Sequence, residues 1–247
     1  MKGVGIDGCR GGWFAVWTGD GARWECALYP DMAAVWRDHS DAAVLFADIP
    51  VGLPDQGTRL ADGLARQRLG PRGASVFNVP ARQAALAMGR EDTPSAVRKA
   101  AARDANRKLS GKSLSEQSLC IVPKILEVDA FLLATPEARG RVFEAHPEVC
   151  FSLAGGAPMV YSKKEFLGGL ERLRLVEQRI ADAQAMLADA RGRYPRTAVA
   201  TDDMLDAMIL AASAACCQGR PTPMPDPPER DGTGLPMAIW YHDFNNC

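Results

Sequence analysis

The sequence lacks several patterns that would assign it to a common class of protein. None of its seven cysteines forms a Cys-x-x-Cys pair, and no Cys/His spacing suits a zinc site. No apolar run reaches membrane-spanning length, and the N-terminus has no apolar signal segment. With a formal net charge of −1, the chain has no global positive field to attract nucleic acid. A local basic patch would still be able to attract it. We therefore expect a cytoplasmic protein with reduced thiols and no membrane contact.

Length and composition bound the domain organisation. The chain has 247 residues, of which 47% are hydrophobic, so it can bury a sizeable core. This length suits one elaborated domain or one domain with a large insertion. No internal repeat is present. We predict a single domain over residues 1–247, with an insertion at 55–120 and a C-terminal extension at 219–247.

The first thirty residues predict a three-stranded β-meander. Residues 2–7, 12–18 and 22–29 are rich in strand formers and are separated by glycine-rich turns. Asp7 ends the first of these strands and projects into a glycine-lined turn. Such an acid is well placed to hold a cation, but it is equally suited to capping a backbone amide in the turn.

Two later segments predict strands that end beside acidic residues. The apolar run before Asp48 is typical of a buried strand parallel to the first, and Pro50 ends it. Asp48 therefore lies near a strand end, as Asp7 does, unless it serves only as a turn aspartate. Residues 141–147 predict another strand, which contains Glu144 and precedes Glu148.

The last predicted helix opens with a cluster of acids. Thr201 or Asp202 can serve as its N-cap. Asp203 and Asp206 are three residues apart, so they lie within roughly 60° on the helix surface. The residues that follow are almost wholly apolar and must be buried. Capping does not explain Asp206, which lies beyond the first turn and needs a partner if it is buried.

The remaining segments give a less regular pattern. Residues 55–120 are rich in arginine and predict helices at 58–69 and 92–108. We expect this segment to cover the carboxylate end of the sheet as a basic lip, although most single arginines are typical of solvated helix faces. Residues 163–190 predict one long helix with an apolar side. A proline-rich connector at 219–234 then precedes a final strand or packed tail.

The order of elements and the short motifs together resemble a known family. A meander, a helix, two further strands and a closing helix follow the RNase H-like order. The Asp-x-x-Asp-Ala step resembles RuvC-type Holliday-junction resolvases. More closely, most of the chain resembles the four-two-nine family of domains of unknown function, described as predicted RNase H-like nucleases. This resemblance rests on residues 5–13 (GIDGCRGGW), 48–54 (DIPVGLP), 75–77 (SVF), 123–129 (PKILEVD), 144–149 (EAHPEV), 162–164 (SKK) and 202–206 (DDMLD).

The resemblance implies a fold and a reaction. The expected fold is an α/β, RNase H-like, five-stranded mixed sheet, with a three-strand meander plus two parallel strands, flanked by helices and carrying a helical or loop insertion. The expected activity is that of a hydrolase, a nuclease that cleaves phosphodiester bonds of RNA or DNA at a two-metal carboxylate site. Two Mg²⁺ or Mn²⁺ ions roughly 4 Å apart would stabilise the attacking and leaving oxygens.

The same resemblance assigns candidate residues to this site. Asp7 would bridge the two ions, and Asp48 with Asp203 or Asp206 would each complete one. The fourth acid is Glu144 or Glu148, and the sequence does not decide between them. The candidates for phosphate contacts are Arg10, Lys124 and Lys163.

Two other classes of function stay open at this point. An actin-like or sugar-kinase-type phosphoryl transfer enzyme shares the sheet order, but the chain has one candidate phosphate loop and is short for two such domains. A non-catalytic nucleic-acid or nucleotide binder is the second alternative. The sequence also leaves open RNA, DNA or branched substrates, endo- or exonuclease action, and the oligomeric state, with a homodimer as one option.

Overall fold

The computed structural model describes residues 1–90 and 92–244, and it is an α/β structure built on a mixed sheet. None of the helices in this part of the chain combines the length and the apolar character needed to cross a bilayer. The strands are β1 (Gly3–Cys9), β2 (Gly12–Thr18), β3 (Trp24–Tyr29), β4 (Val44–Asp48), β5 (Val142–Glu144), β6 (Thr222–Arg230) and β7 (Pro236–Tyr241). The α-helices are α1 (Met32–His39), α2 (Leu60–Leu69), α3 (Arg82–Met88), α4 (Ser95–Ser110), α5 (Glu116–Ala134), α6 (Pro147–Gly155), α7 (Phe166–Glu177), α8 (Ala183–Arg193) and α9 (Thr201–Cys216).

The main sheet confirms the predicted arrangement of strands. Its five strands lie in the order β3-β2-β1-β4-β5. The strands β1, β2 and β3 form the antiparallel meander, and β4 and β5 extend the sheet in parallel with β1. The central position of β1 follows from its pairing with both halves of the sheet.

Strand alternation separates the core into two layers. Val4 and Ile6 of β1 pack with Met32 of α1 and with buried residues of α3 and α5 on one face. Phe14 and Phe46 lie on the other face, where they pack with α6, α8 and α9. Because successive side chains of a strand point to opposite faces, Gly3, Gly5 and Asp7 of β1 all point toward this second layer.

The helix α9 lies directly against β1 because β1 presents glycines to it. A Cβ atom added to Gly5 would lie 2.1 Å from the backbone nitrogen of Ala211 and 2.2 Å from the carbonyl oxygen of Ala207. No side chain fits in this space. The glycines therefore set the close approach that brings α9 onto the central strand.

Two predicted elements differ from the structure. The single helix expected over 163–190 is two helices, because the chain turns between α7 and α8 to place Ile180 in the core. The connector expected over 219–234 contains a strand, β6, which pairs with β7. Prolines are tolerated there because a two-stranded sheet has edges and this one has a register shift between Met224 and Glu229. Residues 245–247 of the predicted extension lie outside the described residues.

The β6-β7 hairpin packs on the end of the main sheet. Met224 and Ile239 form a small apolar cluster with α2 and with Val149 of α6. The ring of Trp240 lies 4.7 Å from that of Phe143 on β5. The hairpin therefore holds the predicted insertion, 55–120, against β5.

Candidate metal centre

Three acids predicted from distant parts of the sequence converge in the structure. Asp7 lies within β1, two residues before its last residue, Asp48 is the last residue of β4, and Asp206 lies in the second turn of α9. One carboxylate oxygen from each lies within 4.8 Å of the others. The predicted convergence of these three residues is confirmed.

Register and alternation explain why the three carboxylates meet. Asp7 and Asp48 are directly paired on the parallel strands β1 and β4. Asp48 lies on the same face as Val44 and Phe46, which pack against α9. The close approach of α9 to Gly5 then brings Asp206 opposite the two strand ends.

Burial and mutual repulsion raise the proton affinity of the cluster. Asp7 is 5% exposed and Asp206 is 2% exposed. Burial raises the pKa of Asp7 well above its ordinary value, and the neighbouring carboxylates of Asp48 and Asp206 raise it further. Burial, with a contribution from Asp48, likewise raises the pKa of Asp206 to about 7, although Lys163 opposes this shift. The centre therefore concentrates negative charge where water screens it poorly.

One ammonium group contacts the cluster. The Nζ atom of Lys163 donates a hydrogen bond to Oδ2 of Asp206 at 2.6 Å and lies 4.0 Å from Oδ2 of Asp202. Burial opposes the charge of Lys163, but the carboxylates of Asp206, Asp7 and Asp48 outweigh burial and raise the pKa of the ammonium. The predicted phosphate contact thus lies at the centre, bound to one of its acids.

Asp203 lies beside the three acids but has another partner. Its Oδ2 atom accepts a hydrogen bond from the backbone N–H of Ala200 at 2.8 Å. Ala200 is the N-cap of α9, so neither Thr201 nor Asp202 holds that predicted position. Asp203 thus satisfies the backbone at the start of the helix, and it lines the same cavity as the three acids.

The structure does not bring Glu144 into the cluster. Its two carboxylate oxygens accept hydrogen bonds from Arg59 at 2.6 and 2.7 Å, and one also accepts from the backbone N–H of Val51 at 2.8 Å. Glu144 is paired with Ala47, one residue before Asp48, so the two acids point to opposite faces of the sheet. Glu144 is therefore held in a buried ion pair rather than at the centre.

Glu148 is the acid of the predicted pair that faces the centre. It lines the same cavity as Asp7, Asp48 and Asp206. Its Oε1 atom is hydrogen-bonded to the buried guanidinium of Arg172, whereas its buried Oε2 atom has no hydrogen-bond partner within the described residues. The structure therefore places Glu148, and not Glu144, beside the three acids.

The cavity that contains the centre has a volume of about 400 Å³. The predicted insertion supplies one wall, through the 3-10 helix Gly70–Ser75 and the first turns of α5. This wall covers the carboxylate end of the sheet, as predicted, but among the described residues Arg72 is the only arginine that lines it. Other arginines of the insertion bind protein acceptors: Arg59, Arg66, Arg82, Arg98 and Arg103. The cavity wall formed by the insertion therefore carries less unpaired positive charge than the arginine content of residues 55–120 indicates.

Some cavity residues were not singled out from the sequence. His146 lines the cavity beside Glu148, and its Nδ1 atom is buried without a hydrogen-bond partner in the described residues. In the sequence, the feature that could have indicated a site role for His146 is its position between the strand that contains Glu144 and Pro147. Gln117 also lines the cavity, and nothing in the sequence pattern distinguishes it.

The other two predicted phosphate contacts lie outside the cavity lining. Arg10 is exposed on the turn after β1. Lys124 donates a hydrogen bond to the carbonyl oxygen of Gly12 at 2.8 Å and lies 4.3 Å from the centre of the Trp13 ring. Burial lowers the pKa of Lys124. Lys124 therefore supports the β1–β2 turn behind Asp7.

The donor set fits a hard divalent cation. The three acids offer only carboxylate oxygens, the ligands that Mg²⁺ and Mn²⁺ prefer. The carboxylates of Asp7 and Asp48 make no hydrogen bond or ion pair with residues 1–90 or 92–244, so their charge lacks direct compensation. A bound cation would supply that compensation.

Comparison with known protein families gives a match that spans the acidic centre. The family described as "Protein of unknown function (DUF429)" matches residues 5–230, a range that includes all three acids of the centre. No curated protein and no solved structure matches the chain. The match covers well over half of the sequence, and the chain therefore belongs to the DUF429 family.

Proposed function

We propose that the protein is a metal-dependent nuclease that hydrolyses phosphodiester bonds of nucleic acid. The observation that carries this proposal is the convergence of Asp7, Asp48 and Asp206, whose oxygens lie within 4.8 Å of one another in a buried cavity. Acids whose pKa values are strongly shifted by burial and by neighbouring charges, and that line a cavity, are typical of functional sites. Mg²⁺ and Mn²⁺ are the cations that these ligands fit.

The position of the acids supports an RNase H-like relationship. Asp7 lies on the central strand β1, Asp48 is the last residue of the parallel strand β4, and Asp206 lies on α9, which packs on β1. The resemblance described above implies this arrangement of acids for an RNase H-like nuclease. The strand order β3-β2-β1-β4-β5 is consistent with it. Fold alone does not assign a reaction, so the proposal depends on the site.

The side chains of the cavity have separate roles in this proposal. Asp7, Asp48 and Asp206 would hold the metal, which when bound would lower the pKa of an attacking water and neutralise charge on the phosphate. Arg72 and Lys163 are the lysine and arginine side chains that line the cavity within the described residues, and they would attract a phosphate. The cavity volume of about 400 Å³ falls in the range of small-ligand sites.

A cleavage assay tests this function. Fluorescent single-stranded, duplex and four-way-junction oligonucleotides, of both RNA and DNA, are incubated with the purified protein in Mn²⁺, in Mg²⁺ and in EDTA. We expect cleavage of at least one substrate with metal and none in EDTA. Asp48→Asn should abolish cleavage, whereas Asp38→Asn, an exposed acid on α1, should leave it unchanged.

The same preparation distinguishes the alternative functions. Release of phosphate from ATP without oligonucleotide cleavage would contradict the nuclease proposal in favour of phosphoryl transfer. Oligonucleotide binding without turnover in either metal would contradict it in favour of a non-catalytic binder. Cleavage that persists in Asp48→Asn would show that the activity comes from elsewhere.

A further inference from the structure

We infer that the ammonium group of Lys163 is a resident cation of the acidic centre, so that the centre takes one divalent ion and not two. The inference rests on the proposed function, because it requires that Asp7, Asp48 and Asp206 bind metal. It differs from the two-ion arrangement expected from the resemblance. It also gives Lys163 a role within the centre itself, in addition to the attraction of phosphate proposed above.

The first argument is the position of the ammonium. Lys163 Nζ is the one cationic group within hydrogen-bond distance of the three acids in the described part of the chain, at 2.6 Å from Asp206 Oδ2. A magnesium ion bound to the same oxygen would lie about 2.1 Å from it. Two cations on one oxygen would then be nearest neighbours in a poorly screened site, where like charges repel strongly. The ammonium and a second ion therefore compete for Asp206.

The second argument is the shortage of free carboxylates. A second ion needs further ligands, but Asp203 already uses its Oδ2 atom to accept from the Ala200 backbone, and Arg59 binds both oxygens of Glu144 on the other face. Glu148 shares its Oε1 atom with Arg172 and has only Oε2 free. Within the described residues, Asp7 and Asp48 are the acids of the centre whose carboxylates have no hydrogen-bond or ion-pair partner on either oxygen, and they lie side by side on β1 and β4. Together with the other oxygen of Asp206, they suffice for one ion.

The third argument is the buried, unpartnered state of Asp7. It is 5% exposed, it lines the cavity, and its carboxylate makes no hydrogen bond or ion pair with residues 1–90 or 92–244. Asp206, by contrast, already has its counterion in Lys163. The charge that remains to be compensated is therefore on the Asp7 and Asp48 side. One divalent ion on that side completes the compensation.

The test is the number of Mn²⁺ ions bound to each chain. Wild type, Lys163→Gln, Lys163→Arg and Lys164→Gln are titrated with Mn²⁺ by calorimetry, and the loaded proteins are examined by electron paramagnetic resonance. Lys164 is the matched control because it is the next residue, is exposed, and makes no side-chain hydrogen bond or ion pair with residues 1–90 or 92–244. We expect one ion for wild type, Lys163→Arg and Lys164→Gln. We expect two for Lys163→Gln, with the spectrum of a magnetically coupled pair.

Each other result has a defined meaning. Two ions in wild type would overturn the inference and leave the proposed function standing. One ion in Lys163→Gln would also overturn it, because Asp206 would then not be limited by the ammonium. No Mn²⁺ binding by either protein would contradict the metal site itself, and with it the proposed function. If Lys163→Gln does not fold, a coupled-pair spectrum in wild type still overturns the inference, and a single-ion spectrum supports it.

Discussion

Asp7 and Asp48 occupy the same register position on the neighbouring parallel strands β1 and β4. Like charges placed side by side in a sheet are destabilising, and burial of Asp7 increases the effect. Neither acid has a counterion or hydrogen-bond donor within the described residues. The pair therefore opposes folding in the absence of a ligand, which is the arrangement expected of a metal site.

Replacement of Asp7 by Asn should weaken metal binding strongly. Asp7 is one of the three acids whose oxygens lie within 4.8 Å of one another in the described part of the chain. Since loss of an outer-shell partner alone costs about 10–100-fold in metal affinity, loss of this direct ligand should weaken Mn²⁺ binding by more than about 100-fold. Calorimetric titration measures the change. Asp104→Asn, an exposed acid of α4 paired with Lys108, is the control and should bind as wild type does.

The stability of the metal-free protein should depend on pH through Asp7. Burial, Asp48 and Asp206 raise its pKa in the folded state. A raised folded pKa means that stability is greatest below the unfolded pKa of about 3.9 and is lost as the pH rises through the folded pKa. Asp7→Asn removes this ionisation. In EDTA, the variant should therefore melt at a higher temperature than wild type at pH 8.

The difference in melting temperature should shrink as the pH falls toward about 4, where wild-type Asp7 is protonated. Thermal melts of both proteins between pH 4.5 and pH 8.5 give the comparison. A difference that stays constant with pH, or that grows in acid, would show that repulsion within the cluster does not act on stability. Saturating Mn²⁺ should reverse the order at pH 8, because wild type binds the metal more tightly and so gains more stability than the variant.

The sequence was sufficient to locate the three acids because each follows a strong local pattern. The apolar runs before Asp7 and Asp48 predict buried strands, and parallel pairing places their ends together. Asp206 lies beyond the first turn of its helix and directly before an almost wholly apolar stretch, so the sequence already indicates that it is buried. These features depend on short segments and on alternation, so they can be inferred without a three-dimensional structure.

The choice between Glu144 and Glu148 could not be made in this way. It depends on the register of β5 against β4, which pairs Glu144 with Ala47 and turns it away from Asp48. The partner of Glu144 is Arg59, 85 positions away in the chain. Nothing local to either residue shows this contact. Long-range pairing likewise decided which arginines of the insertion stay free of protein acceptors.

Replacement of Glu144 by Gln should reduce stability without affecting metal binding. The change leaves the buried guanidinium of Arg59 with Asp62 as its remaining acidic partner. Breaking a buried ion pair costs about 3–5 kcal/mol, and retention of Asp62 favours the lower end of that range. Urea unfolding measures the loss. Mn²⁺ stoichiometry and affinity should match wild type at temperatures where the variant is folded.

A double variant separates a structural role of Glu144 from a catalytic one. Arg59→Met leaves the carboxylates of both Glu144 and Asp62 unpaired, whereas Arg59→Met with Glu144→Met leaves only Asp62 unpaired and should recover part of the stability lost in Arg59→Met. Loss of Mn²⁺ binding in folded Glu144→Gln, with little loss of stability, would instead return Glu144 to the metal centre.

The last prediction concerns Gly5, which controls how closely α9 approaches the central strand. In Gly5→Ala the new methyl group would meet Ala211 N at 2.1 Å and Ala207 O at 2.2 Å, both backbone atoms that cannot rotate away. Ordinary contacts of a Cβ atom begin at 3.4 Å, so α9 must shift outward by more than about 1 Å. Such overpacking costs about 1–3 kcal/mol or more.

The shift should also reach the metal centre, because Asp206 directly precedes Ala207 on the displaced helix. We expect Gly5→Ala to lower the melting temperature and to weaken Mn²⁺ binding together, since the Asp206 oxygens move away from Asp7 and Asp48. Gly19→Ala is the control: an added Cβ there has no atom within 4 Å, so both measurements should stay at wild-type values. Wild-type Mn²⁺ affinity in a destabilised Gly5→Ala protein would show that Asp206 is not needed as a ligand, because the acid would have moved without effect.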